Sequence, residues 1–260
     1  MQQTGRTMRA AIAAVCGVVA MGMATAPVAE AQILTWEDWE DTGYVHINYG
    51  YQSGARAFAE SLSETVNGET ATYGASHASG GGSGLDIGGG VRVWGNLAAG
   101  VTITSFSNPS AATVSGTVPH PLFLNRPRTV AVDLTSLEYK ELGIHLQAVW
   151  VMPLSEQLTV SVGGGPSFFS VDQDLLAGVT VGQETAPFNA VSIGASSTTA
   201  SESAVGGNAG VDVTYMFIEQ LGGGAFVRWT GGSLDLPMSG GIQSIDVGGV
   251  QSGAGLRVKF

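Results

Sequence analysis

Apolar residues occupy every second position of the chain between Tyr44 and Gln52. The same alternation recurs in seven later segments, at residues 85–93, 97–104, 142–152, 158–162, 208–217, 221–230 and 250–260. Because successive side chains of a β-strand point to opposite faces, this period gives each segment one apolar and one mixed or polar face. The pattern therefore predicts eight strands.

The connections between these segments alternate in length. Short turns at Trp94–Asn96, Pro153–Gln157 and Ile218–Gln220 alternate with long loops at about 53–84, 107–141, 170–205 and 231–247. An even strand number, strands of about 10 residues, and short turns opposite long loops are typical of bacterial outer-membrane barrels. We therefore predict an all-β fold over residues 43–260, an eight-stranded antiparallel up-and-down transmembrane β-barrel with short periplasmic turns and long extracellular loops.

A secreted β-sandwich is the alternative fold. A sandwich should turn the polar faces of its strands to water and bury their apolar faces, so a sandwich and a membrane barrel both produce alternation. Here the non-apolar face carries charged residues along several strands, which favours a polar lumen and an apolar face in contact with outer-membrane lipid. Aromatic residues near both ends of the strands fit interfacial girdles, with Trp150, Tyr215 and Phe217 at the turn side and Tyr49, Tyr51 and Trp229 at the loop side.

The first 31 residues have the pattern of a secretory signal peptide. Arg6 and Arg9 precede an apolar stretch over residues 10–24, and Ala29–Ala31 supplies the small-residue cleavage pattern. The apolar stretch is shorter than the roughly 20 residues that a membrane-spanning helix needs. We predict export, a mature chain beginning near Gln32, and a periplasmic segment over residues 32–42 that caps the barrel mouth or contacts a partner.

Composition excludes several classes of protein. With 44% hydrophobic residues the chain is not disordered, and its net charge of −11 argues against nucleic acid as a partner. The single cysteine, Cys16, lies in the predicted signal peptide, so the exported chain has no disulfide framework. The scattered histidines and isolated acidic residues predict no metal site and no cofactor.

The last strand carries a further signal. Residues 255–260 end in an aromatic residue preceded by alternating apolar positions, Leu256, Val258 and Phe260. In this feature and in its turn and loop asymmetry, the chain resembles the small eight-stranded outer-membrane barrels typified by the transmembrane domain of outer membrane protein A and by outer membrane protein X. The resemblance implies that periplasmic chaperones and the barrel-assembly machinery handle the chain, with these three residues as the assembly signal.

Charged and polar residues are predicted to fill the lumen. An eight-stranded barrel has an interior just wide enough for side chains or one small ligand. Charges in such a space must find partners or water, so they could form either a salt-bridge plug or the lining and gate of a narrow path. The candidate network comprises Arg92, Glu141, His145, Asp212, Arg228 and Arg257, with Asp86, Lys259, His46, Asn48 and Gln147 also facing inward.

Function is predicted to depend on the loops. Asn67–Gly68 is a hairpin signal in the first loop, and residues 119–127 place Leu122, Phe123 and Leu124 between prolines, beside Arg126. No motif joins His77, Ser79 or His120 into a catalytic site, and we predict no enzyme activity. The predicted function is a structural or adhesion-like role at the cell surface. The alternatives are a narrow channel or carrier for a small solute or apolar molecule and, less favoured, a lipid-modifying enzyme.

Overall fold

The computed structural model describes residues 38–54, 56–238 and 240–260. The predicted signal peptide and the first part of the periplasmic segment lie outside the described residues. Ten antiparallel strands form one sheet: β1 (Gly43–Ser53), β2 (Arg56–Val66), β3 (Glu69–Ser79), β4 (Gly82–Trp94), β5 (Leu97–Val118), β6 (Arg128–Pro153), β7 (Leu158–Val181), β8 (Ile193–Met216), β9 (Leu221–Met238) and β10 (Gly241–Lys259). Over the described ranges there is no helix with the length and apolar character to cross a membrane.

Eight of these strands close into a barrel. β1 pairs with β10 on one side and with β4 on the other, and each strand from β4 to β10 pairs with the next. The predicted eight-stranded antiparallel barrel is confirmed, and its three short turns fall where the sequence placed them. The other two strands, β2 and β3, lie within the first predicted loop.

The barrel is apolar outside and polar inside. Ile47 and Ile87 are paired across β1 and β4 and are 55% and 48% exposed, whereas the adjacent Asn48 and Asp86 are 2% and 1% exposed. A water-soluble sheet protein would show the reverse distribution. The band of exposed apolar side chains therefore faces lipid, and the sandwich alternative is wrong.

Several strands are much longer than predicted. The predicted strands ended where the outward apolar row ends, whereas the observed strands continue with their apolar residues on the inner face. On β6, Leu142 and Leu146 point outward and are exposed, whereas Leu137 and Tyr139 point inward and are buried. The period of two continues, but the apolar positions now belong to the inner face. This reversal marks where a strand leaves lipid for water, and the parts of the strands beyond it form an extracellular extension in place of the predicted loops.

The hairpin of β2 and β3 completes this extension. Its turn is at Asn67 and Gly68, with φ of 53° and 81°, as the predicted hairpin requires. β3 pairs with the distal part of β5, from Ser79↔Ser110 to Thr72↔Thr117. The hairpin thus continues upward from the barrel wall above β4.

The extension has an apolar core of its own. The β6–β7 ladder ends at Tyr139↔Gln173 and the β8–β9 ladder ends at Gly206↔Gly232, so the strands separate into three groups above the barrel. Side chains from all three groups meet inside in one cluster, which includes Phe58, Tyr139, Phe169, Leu175, Leu234, Leu236 and Ile245. A second cluster includes Tyr73, Val114 and Leu176. Burial raises the pKa of the Tyr73 phenol, and the Glu64 carboxylate adds to this effect, so the ring packs as a neutral group.

A charge placed in the lipid-facing band should destabilise the barrel. Leu146→Arg puts a guanidinium near the middle of the β6 band and is expected to lower the free energy of unfolding in lipid by about 2–4 kcal/mol. Ala131→Arg, on the outward face of the same strand but in the extension, should change it by less than about 0.5 kcal/mol. Equal effects of the two substitutions in equilibrium unfolding would contradict the position of the band.

Candidate functional site

Arg228 and Asp86 form a buried ion pair in the middle of the lumen. Their exposures are 5% and 1%. The Arg228 Nε donates a hydrogen bond to Gln251 Oε1 at 2.9 Å, and Asp86 Oδ1 accepts one from Asn48 Nδ2 at 2.7 Å. The His46 Nε2 lies 3.2 Å from the same carboxylate oxygen. Asp86 is therefore surrounded by donors from two strands, β1 and β9.

A second ion pair lies nearer the periplasm. Arg257 Nε is 3.3 Å from Asp212 Oδ1, and its terminal nitrogens contact Asp212 Oδ2 and Asn48 Oδ1. Asn48 thus donates to Asp86 and accepts from Arg257, so it connects the two ion pairs.

Glu141 is the centre of the polar network at the outer end of the barrel. Its carboxylate accepts hydrogen bonds from Gln52 Nε2, Arg56 and the Gly248 backbone N–H, each at 3.1 Å, and from the Tyr139 hydroxyl at 2.5 Å. Gly248 has φ of 84°, and a Cβ there would meet a backbone oxygen of the neighbouring strand at 2.5 Å. Glycine therefore allows the backbone conformation that directs this N–H at Glu141.

Gln251 joins these groups into one chain. Its Nε2 donates to Gln52 Oε1 at 2.7 Å, which links Glu141 to Arg228. The connected network contains three cations and three anions: Arg56, Arg228 and Arg257, with Asp86, Glu141 and Asp212. Its charges balance, as a low-dielectric interior requires.

A cavity of about 100 Å³ lies on the periplasmic side of this network. Tyr44, His46, Asp212, Arg228 and Arg257 are among its lining residues. It is large enough to hold water. The apolar core of the extension lies on the other side of the network.

His145 does not join the charged network. Its Nε2 lies 3.1 Å from Thr104 Oγ1 and its Nδ1 lies 2.8 Å from Ser167 Oγ, which also accepts a hydrogen bond from Asn208 Nδ2 at 2.9 Å. A serine beside a histidine is an arrangement that nucleophilic catalysis uses. Both residues are 0% exposed, however, so a substrate could not reach Ser167 in this closed barrel.

Arg92 lies at the periplasmic end, away from the network. Its guanidinium donates to the Trp39 carbonyl oxygen at 2.5 Å. Trp39 is 5% exposed, and its backbone N–H donates to Asn96 Oδ1 at 3.1 Å. Trp39, from the predicted periplasmic segment, is therefore buried in the barrel mouth, and Arg92, predicted to belong with the other charges, is bound there instead.

The predicted assembly signal lies on the lipid-facing side of β10. Leu256 and Phe260 are 58% and 57% exposed, and Val258 points the same way. The Phe260 N–H donates to the Gly43 carbonyl oxygen at 3.0 Å, which holds the end of the chain against β1. The role of these residues in assembly stays a prediction.

The loop between β5 and β6 forms an apex with exposed apolar side chains. Leu122, Phe123 and Leu124 are 65%, 56% and 74% exposed. The Asn125 N–H donates to the Glu69 carboxylate of β3 at 3.0 Å, and Asn125 adopts a left-handed φ of 57°. The turn is thereby held by a neighbouring hairpin.

A second set of contacts fixes the base of this apex. Arg128 binds both carboxylate oxygens of Glu184, at 2.9 and 3.0 Å, and donates to the carbonyl oxygens of Pro119 at 2.8 Å and Phe188 at 3.0 Å. The side chain of Asn67, from the β2–β3 turn, also donates to the Pro119 carbonyl oxygen at 3.2 Å. Three hairpins therefore converge on the apex.

His77 and His120, the two histidines of the predicted loops, also pack against neighbouring side chains. His77 Nε2 lies 2.5 Å from Glu60 Oε1, and the ring stacks on Phe58 with a centroid distance of 4.5 Å. His120 packs against Phe123 at 5.0 Å. Across the described part of the chain, no three His, Cys, Asp or Glu side chains are grouped to hold a metal ion.

Sequence reasoning missed four members of the network: Arg56, Gln52, Gln251 and Tyr139. Gln52 and Gln251 occupy polar positions of recognised strands, so the alternation placed them inward without indicating that they pair. Arg56 and Tyr139 fell within predicted loops, and only knowledge of the longer strands could have brought them to Glu141.

Comparisons with known proteins report a likeness in architecture. No family model matches the chain, and no curated protein matches it. Among solved structures, Neisserial surface protein A is 16% identical, with a TM-score of 0.44 over 84% of this chain and 97% of that one. OprG from Pseudomonas aeruginosa is 12% identical, with a TM-score of 0.46 over 85% and 96%. Ail of Yersinia pestis is 9% identical, with a TM-score of 0.36 over 84% and 99%. The barrel assignment rests on the strand ladders and the apolar band.

Proposed function

We propose that the chain is an outer-membrane barrel with a closed lumen, whose function is surface interaction through its extracellular extension. The observation that carries this proposal is the apex, where Leu122, Phe123 and Leu124 are exposed although the loop around them is held by Glu69 and Arg128. A rigid loop that presents apolar side chains to water is a feature of binding surfaces. The loop acts by presenting these apolar side chains to a partner in a preformed arrangement.

The interior of the barrel supports the closed-scaffold part of this proposal. The charges around Arg228 and Glu141 are paired, and the extension above them is filled by apolar side chains such as Phe169 and Leu236. A solute would have to pass both layers. Trp39 occupies the periplasmic mouth as a third obstacle.

Biogenesis through the barrel-assembly machinery and periplasmic chaperones is part of the same proposal. The outward row of Leu256, Val258 and Phe260 supports it, because these side chains stay accessible on the outward face at the end of the chain.

Attachment of cells tests the surface role. Cells displaying the full chain are expected to settle on cultured cells or immobilised matrix protein several-fold more than cells displaying a variant with Leu122, Phe123 and Leu124 all replaced by serine. The reason is that the substitution removes the apolar contact while leaving the contacts of Glu69 and Arg128 in place. Attachment would be counted after washing, at equal surface levels of folded barrel.

Ile242→Ser provides the matched control, since Ile242 is 77% exposed near the β9–β10 turn. This variant should attach as the unmodified chain does. Equal attachment of the serine-substituted apex variant and the unmodified chain would contradict the proposal.

A narrow channel is the second candidate, favoured by the cavity of about 100 Å³ below Arg228, whose lining includes charged side chains such as Asp212 and Arg257. Single-channel recording in a planar bilayer separates the two. We expect no steady conductance from the unmodified chain, whereas a steady conductance would make the lumen the functional site.

A further inference from the structure

We propose that the apex inserts into the phospholipid bilayer of an opposing membrane. This inference rests on the proposed surface role and names its partner. The inserting group consists of Leu122, Phe123 and Leu124, and Arg126 is the residue that meets lipid phosphate.

The shape of the apex favours a bilayer over a protein. Three consecutive exposed apolar residues on a turn make a small convex tip, which exposes at most roughly 500 Å². A stable protein interface needs about 800 Å² on each partner. A lipid interface has no such requirement, because affinity there grows with apolar area and with attraction between basic residues and phosphates.

The position of the apex excludes the membrane of its own barrel. The outward apolar row of β5 ends at Ile103, and the strand continues to Val118. Fifteen residues of strand tilted by about 40° rise roughly 40 Å above the apolar band. A bilayer that meets the tip is therefore an opposing one.

Arg126 supplies the polar half of an interfacial contact. Its guanidinium lies 5.7 Å from the centroid of the Phe123 ring, and among the described residues it has no acidic partner. Glu184 is bound to Arg128, and Glu69 holds the Asn125 N–H. A cation beside exposed Phe and Leu side chains is the composition of interfacial membrane segments.

Asp133, lower in the extension, does not oppose this contact strongly. Asp133 is five residues below Arg128 on β6, or roughly 16 Å along the strand. That distance exceeds the Debye length of about 8 Å at physiological salt, so its repulsion of lipid phosphate is screened.

The test is flotation of the full mature chain in lipid nanodiscs with vesicles of phosphatidylcholine, alone or mixed with phosphatidylglycerol. Unmodified protein is expected to float with both, and with the mixture more strongly. Replacing Leu122, Phe123 and Leu124 together by serine should reduce binding by at least about tenfold. Arg126→Ala should reduce binding to the mixed vesicles about fivefold. Empty nanodiscs and Ile242→Ser are the controls.

An independent readout measures insertion. Cys16 is the only cysteine and lies in the predicted signal peptide, so Leu124→Cys offers one site for an environment-sensitive fluorophore. Its emission should shift to the blue when vesicles are added. An unchanged emission, or flotation that does not depend on the apex, would overturn the inference.

The outcomes separate this inference from the proposed function. If cell attachment depends on the apex but vesicles are not bound, the surface role stands and the lipid partner is wrong, which would point to a protein partner. If neither attachment nor vesicle binding depends on the apex, both proposals fail.

Discussion

Glu141→Ala is expected to lower the free energy of unfolding of the barrel by about 3–5 kcal/mol. The substitution leaves the Arg56 guanidinium, the Tyr139 hydroxyl and the Gly248 N–H without the carboxylate that they share. Arg56, which Glu141 holds in place, also donates to the carbonyl oxygens of Asp246 and Gly248 on β10. Loss of the carboxylate should therefore loosen β2 from β10. Equilibrium unfolding would measure the loss, and faster tryptic cleavage after Arg56 would locate it.

Glu138→Ala is the matched control on the same strand. Glu138 pairs with Lys140 at 2.6 Å, but both side chains are 58% exposed. Solvent screening makes such an exposed pair contribute little to stability. If the two substitutions had similar effects, Glu141 would not be the centre of a buried network.

Arg228→Met is also expected to destabilise the barrel by about 3–5 kcal/mol. The methionine keeps most of the side-chain volume but leaves the Asp86 carboxylate, 1% exposed, without its cation. The double variant with Asp86→Asn should lose clearly less than the sum of the single variants, because it removes both charges together. Urea titration of the lipid-embedded protein would measure all three.

Lys259→Met serves as the control for the double-mutant cycle of Arg228 and Asp86. Its pair with Asp41, at 3.3 Å, is partly exposed at 29% and 25%, so its loss should change stability by less than about 1 kcal/mol. Strict additivity of the Arg228 and Asp86 substitutions would show that their ion pair does not stabilise the folded barrel.

The barrel itself could be predicted from the sequence, because lipid and lumen impose opposite preferences on alternate residues. Ile47 and Asn48, for example, stand on opposite faces of β1 as their types suggest. The extension could not be predicted in the same way. Beyond Leu142 on β6 the apolar residues move to the inner face, so an apolar row followed along one face ends while the strand continues.

The network was predicted in its composition but not in its connections. Inward charges such as Asp212, Arg228 and Arg257 follow from the alternation, whereas the pairing partner of each depends on strand stagger around the ring. Arg92 shows the limit of this reasoning, since it faces inward by register yet lies at the level of Trp39.

The reversal of the apolar face also sets how deeply the barrel sits. Sliding outward by one pair of residues on every strand would bring a ring of apolar side chains such as Ile103 and Leu142 into water, at 1.5–3 kcal/mol each and on the order of 10 kcal/mol in total. Sliding inward would draw polar outward residues such as Ser105 and Lys140 into hydrocarbon. The position of this reversal therefore fixes the depth of the barrel in the membrane, and with it the height of the extension above the lipid.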